Sequence, residues 1–145
     1  MAVLTVQGTG VTDTYINGLA GQETTNYGSS EGIGLGHYSV GDGPFRTPIK
    51  FVLTDIPAGS TVSSATFTLT VRGDFSDNAR TISVYRCKRA WVEAQATWNI
   101  YSTGNNWQTA GAAGADDREG TNIGTATQPA SPAVGDEIAI TLTAS

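Results

Sequence analysis

Charge is scarce in this sequence. Asp, Glu, Lys and Arg make up 14% of it, against about 25% in an average domain. The 13 acidic and 8 basic residues leave a net charge of −5. A general nucleic-acid binder needs a positive field to offset phosphate repulsion, so no nucleic-acid partner is expected. Cys87 is the only cysteine, so no intrachain disulfide can form. It reads as a small apolar residue, since a reactive thiol needs a base and an electropositive setting. His37 is the only histidine. That excludes a histidine-based zinc site, and any Ser-His-Asp triad would have to form around a residue with no nucleophile motif beside it. No apolar run approaches the roughly 20 residues of a membrane-spanning helix. Residues 1–8 show neither part of a signal peptide, so no membrane insertion and no classical secretion is expected.

Glycine is plentiful, with 18 residues, and Thr and Ser recur between β-branched and aromatic positions. The clearest alternation sets Ala65, Phe67, Leu69 and Val71 inward and Ser64, Thr66, Thr68 and Thr70 outward, a half-buried antiparallel strand. A last strand alternates Ile138, Ile140 and Leu142 with Ala139, Thr141 and Thr143. Weaker strands are expected over 2–6, 13–16, 46–53 and 122–126, with Pro48 marking an edge or a strand start. Residues 17–36 read as one long loop, and 73–78 as a turn. Gly32, Gly34 and Gly36 lack the lysine and the following helix of a phosphate-cradling loop. At 145 residues the chain is read as a single domain, 1–145, with about eight short strands and no helix. The fold class expected is all-β, an antiparallel β-sandwich of jelly-roll type.

The stretch 81–99 organises the rest. It opens as a strand with Ile82 and Val84 on one face, continues through Arg86, Lys88 and Arg89, and ends with Trp91 and Trp98 bracketing a segment too short for an independent helix. Both tryptophans are expected to wedge a loop against a β core, the alternative being that one of them faces outward as a sugar-stacking platform. Sugar binding needs exposed aromatics beside planar polar groups. Trp107, next to Asn105 and Asn106, looks the most exposed candidate, with Tyr27, Tyr38 and Tyr101 behind it. Arg86, Lys88 and Arg89 are suited to hold uronate carboxylates by charge-assisted bonds. Asp116, Asp117 and Glu119 on a glycine-rich loop form a candidate calcium site, which Asp13 could join. No two carboxylates stand in a readable glycosidase arrangement, so the chain is not read as an enzyme.

Several spans, taken in order, carry a resemblance. They are Asp13-Thr14-Tyr15-Ile16, then Asn26-Tyr27-Gly28, then residues 56–66 leading into the Phe/Leu strand. After these come Val84-Tyr85-Arg86, Trp91-Val92-Glu93, Thr97-Trp98-Asn99, and Trp107 followed by Gly111, Gly114 and Asp116-Asp117. The chain resembles the DNRLRE family of β-sandwich modules over nearly its whole length. The resemblance implies a non-catalytic module of the kind found in phage virion proteins, in cell-surface proteins and beside polysaccharide-degrading domains. Some of these are similar to carbohydrate-binding modules for acidic polysaccharides. It also implies a closing segment after residues 136–142 that is missing here, either through truncation or because another chain supplies that strand. The expected role is a structural or adhesive virion module, made in a host cytoplasm and associated with other virion subunits or with itself as a homo-oligomer, touching cell-surface polysaccharide. The alternative is an extracellular carbohydrate-binding module of a secreted polysaccharide-degrading enzyme.

Overall fold

A computed structural model of the chain describes residues 3–37, 43–73 and 78–143. Among these the chain is all-β apart from a single 3-10 turn at Gly8–Gly10, and every strand pairing is antiparallel. This is the antiparallel β-sandwich class expected from the sequence. The strands in order are β1 (Val11–Asp13), β2 (Ile16–Asn17), β3 (Gly36–His37), β4 (Pro44–Arg46), β5 (Ile49–Phe51), β6 (Ala65–Thr70), β7 (Arg80–Cys87), β8 (Ile100–Ser102), β9 (Asn105–Asn106), β10 (Arg118–Gln128) and β11 (Glu137–Leu142). They fall into two compact units, each made of two chain segments. Unit 1 is Met1–Ser60 with Lys88–Asp117, and unit 2 is Thr61–Cys87 with Arg118–Ser145.

In unit 1, β1 pairs with β5 and β2 with β4 in one continuous register, Val11 opposite Phe51 and Ile16 opposite Arg46. The ladder breaks at the buried Pro48, which has no N–H to give. Its carbonyl still accepts the Thr14 N–H at 3.3 Å. The strand expected over 46–53 is therefore two short strands, and Pro48 stands just before the start of the second, in keeping with the strand-start reading. Leu53 is exposed. The strand expected over 2–6 is absent from its described residues, where the backbone runs unpaired into the 3-10 turn.

The core of unit 1 gathers Ile16, Trp91, Ala96 and Trp107, with Trp98, Tyr101 and Ala112 packed against it. Trp91 is 3% exposed, in line with the wedge expected of it. Between the two tryptophans the chain makes a single turn, with the Ala96 N–H donating to the Val92 carbonyl at 2.8 Å. Trp98 sets a local backbone requirement. Gly111 has φ +78°, and a Cβ there would come within 2.3 Å of the indole.

In unit 2, β6 pairs with β11 over Ala65 to Thr70 without interruption, and β7 pairs with β10 through two irregularities near Asn122. The Thr143 N–H donates to the Ile123 carbonyl at 2.7 Å, which brings β11 against β10. Ile138 and Ile140 are buried, whereas Phe67, Leu69, Ile82 and Val84 are only half-buried. Cys87, expected as an apolar filler, is exposed and not in a disulfide.

Candidate functional site

The sequence alternates polar and apolar groups around residues 89–117, and the chain folds there into a small, heavily bonded assembly. The β8–β9 hairpin turns at Thr103-Gly104, where glycine takes φ +77°. Tyr101 on β8 packs its ring against Trp107, centroids 5.5 Å apart and tilted by 55°. The guanidinium carbon of Arg89 stands 5.3 Å from the Tyr101 centroid, a cation–π arrangement. Asn105 and Asn106 on β9 are exposed, and the Asn105 amide donates to Ser102 Oγ at 3.0 Å and to the Thr103 carbonyl at 3.2 Å.

Trp107 was the residue expected to offer an exposed face. It is buried, 4% exposed, and its indole N–H donates to the Thr97 carbonyl at 2.9 Å. With its ring inside the core and its one polar atom satisfied, it anchors the hairpin and has no face open to a sugar ring. Around it, Tyr101 is half-buried and the two asparagines are exposed. Tyr27 is half-buried and stacks on Tyr15 with centroids 4.1 Å apart. Tyr38 lies outside the described residues.

Asp117 is the electrostatic centre. It is fully buried, and its carboxylate accepts the N–H groups of Gln108 at 2.9 Å and of Thr109 and Gly114 at 3.0 Å. Arg89 adds its Nε at 3.1 Å. Burial alone would push the Asp117 pKa up, but these four donors outweigh it and hold the carboxyl below its ordinary value. A Cβ on Gly114 would meet Asp117 Oδ2 at 2.8 Å, so glycine is required for the N–H to reach the carboxylate.

This geometry bears on the calcium expectation. The oxygens of Asp117 are taken up by N–H donors, while Asp116 points outward, accepts from Gln108 Nε2 at 3.1 Å and lies 3.9 Å from Arg89. Glu119 is the second residue of β10, and Asp13 meets Glu93. A calcium ion needs six to eight free oxygen ligands. Among the described residues no group of three or more His, Cys, Asp or Glu side chains is placed to hold a metal. The Asp13 backbone N–H donates to Glu93 Oε1 at 3.2 Å. Burial first, and the Glu93 charge second, raise the Asp13 pKa.

The basic cluster is divided. Arg86 is exposed on β7 in unit 2, whereas Lys88 and Arg89 belong to unit 1, where Lys88 Nζ donates to the Ala115 carbonyl at 2.9 Å. Cations not singled out in the sequence also cap aromatic rings. Lys50 Nζ lies 5.1 Å from the Trp91 centroid, and the Arg46 guanidinium carbon lies 5.2 Å from that of Trp98. Strand positions so far apart in sequence give no signal of such pairing.

Two further anchors were missed. The Asn26 amide spans the Glu93 and Ala96 carbonyls, each at 2.7 Å, and ties the long loop to the Trp91 turn. Thr97 Oγ1 accepts from the N–H groups of Asn99 at 3.2 Å and Ile100 at 3.3 Å. That threonine had a readable signal, because Thr commonly bonds backbone two or three residues ahead. His37 is exposed.

The family comparison supplies the remaining step. The model of carbohydrate-binding module family 96 matches residues 5–117, well over half of the chain. The match carries that description and not the DNRLRE name expected from the sequence. No curated protein and no solved structure gives a match. Modules of this kind bind carbohydrate and do no chemistry on it, and their presence leaves open what other domains accompany them. The Trp-anchored hairpin and the Asp117 loop both lie within the matched span, and the chain belongs to carbohydrate-binding module family 96.

Proposed function

We propose that this chain holds an anionic polysaccharide on the surface formed by Arg89, Tyr101, Asn105 and Asn106, and performs no reaction on it. The observation that carries the reading is the fixed Arg89. Its guanidinium is laid on Tyr101 and clamped by the buried Asp117, and Tyr101 stands on β8, whose partner strand β9 carries two exposed asparagines. A preset guanidinium loses little freedom on binding a carboxylate, and carboxamides suit sugar hydroxyls. Asp117 offsets much of the Arg89 charge, so the exposed Lys50 above Trp91 is a second cation available to the same kind of ligand. The setting this supports is a binding module of an extracellular polysaccharide-acting protein. The virion role remains a proposal about context, and it draws no support from the family match.

The test is affinity electrophoresis through gels cast with a polyuronate or with a neutral glucan. The expected result is retardation by the polyuronate that weakens with added salt, because exposed charge pairs are screened. Tyr101→Ala and Asn106→Ala should each reduce the retardation while circular dichroism stays unchanged. Equal migration in both gels, or retardation untouched by both substitutions, would overturn the proposal.

A further inference from the structure

We propose that the outer edge of β6 pairs antiparallel with the same strand of a second copy of this chain, with Thr68 opposite Thr68. The argument begins with backbone direction. The Val71 N–H donates to the Asp136 carbonyl at 2.9 Å, and the Val71 carbonyl accepts from Gly135 at 2.8 Å, so Val71 faces β11. Backbone groups alternate along a strand, so Ala65, Phe67 and Leu69 also face β11, and Thr66, Thr68 and Thr70 turn theirs the other way. The opposite edge of β11 is already used, because Thr143 bonds Ile123 there. Among the described residues, β6 pairs with β11 only, and all three threonines are exposed.

Proteins protect such edges with charge, proline, bulges or very short strands. The β6 sequence Ala-Thr-Phe-Thr-Leu-Thr has no charge and no proline, and its register with β11 is unbroken over all six residues. It is also self-complementary. A two-fold axis through Thr68 makes Thr68–Thr68 and Thr66–Thr70 the hydrogen-bonded pairs, using the outward N–H and C=O groups. The same axis sets Phe67 against Leu69 of the other copy, extending the half-buried apolar face across the join.

The other outer strand of unit 2 fails this test. β7 pairs with β10 alone, but a two-fold axis through Ser83 would set Arg80 against Arg86 of the other copy. Like charges directly opposite are unfavourable. The occupant assigned to the β6 edge is therefore a second copy of this chain. A single strand pair lies at the small end of stable interfaces, so the dimer should be concentration-dependent. Two copies would present two glycan surfaces to one polymer and raise avidity without any new sugar contact.

Light scattering on the whole chain from micromolar to millimolar concentration reads the result. The expected outcome is a mass rising from monomer to dimer, with no growth beyond it. Thr68→Pro removes the central donor from an edge where proline is structurally tolerated, and should leave a folded monomer. Thr68→Lys and Thr68→Glu should each weaken the dimer, and mixing them in equal amounts should restore it, since the two charges then face each other. This mixing arm stands even if the proline variant fails to fold. A wild-type chain that stays monomeric throughout would overturn the proposal. So would a dimer indifferent to Thr68→Pro in a folded protein, or charged variants whose mixture does not recover.

Discussion

The two units hold their chains by different means. Unit 1 has strands of two or three residues and depends on side chains that bond backbone. Asp117 gathers three N–H groups, Asn26 spans two carbonyls, and the Trp107 indole bonds Thr97. Unit 2 has the long strands, β7 and β10 among them, and among its described residues Ile138 and Ile140 are the buried apolar side chains. Ladders satisfy their own backbone, so unit 2 needs few polar anchors. The irregular loops of unit 1 would otherwise leave buried N–H and C=O groups without partners, a cost of about 1–3 kcal/mol each. The binding surface proposed here lies in the unit whose loops are fixed that way. Loops carry recognition best when a rigid frame positions them.

The contrast can be broken most forcefully at Trp107. Trp107→Ala empties the core beneath the hairpin and should cost about 3–5 kcal/mol in urea unfolding. All three tryptophans, Trp91, Trp98 and Trp107, lie in unit 1, so fluorescence reports on that unit. Next in size is Asp117→Asn, which sets an amide NH2 among N–H donors and leaves Arg89 without its buried partner. A loss of about 2–4 kcal/mol is expected from the same unfolding curves.

Acid sharpens the comparison within unit 1. Because the folded Asp117 pKa is lowered, its contribution is complete above the ordinary carboxylate value and disappears as pH falls through the folded value. Stability should therefore drop below about pH 4, and that drop should shrink in Asp117→Asn. Asp13 acts with the opposite sign. Its raised pKa means that its contribution is present at low pH and lost as pH rises through the folded value. Asp13→Asn should accordingly leave the chain unchanged or slightly more stable at pH 7, by no more than about 0.5 kcal/mol. The smallest effect is expected in unit 2. Thr66 is exposed on β6, and Thr66→Val should move stability by less than about 0.5 kcal/mol either way. A large loss there would mean that the threonine face is more than a solvated surface.

Much of the fold was legible along the chain, and much of the site was not. The period-two alternations at 65–71 and 138–142 predicted β6 and β11, because a half-buried strand must alternate. The weaker run at 122–126 marked only the middle of β10, whose ends at Arg118 and Gln128 are polar and carry no periodic signal. At the site, sequence adjacency was a poor guide. Asn105 and Asn106 beside Trp107 suggested an exposed ring, but Trp107 follows the end of β9 and its ring packs into the core while both asparagines stay exposed. Asp116 and Asp117 looked alike as calcium ligands, and one faces solvent while the other is buried under four donors.

The sequence by itself determined the all-β class, the scarcity of charge, and the strands whose alternation is strong. These follow from composition and from local periodicity, which need no knowledge of distant neighbours. Only the tertiary structure decided that Asp117 is a structural anchor, that Trp107 is core, and that Arg89 lies over Tyr101. Each of those depends on which residues far apart in the chain come to lie within a few ångströms, and that is fixed by packing.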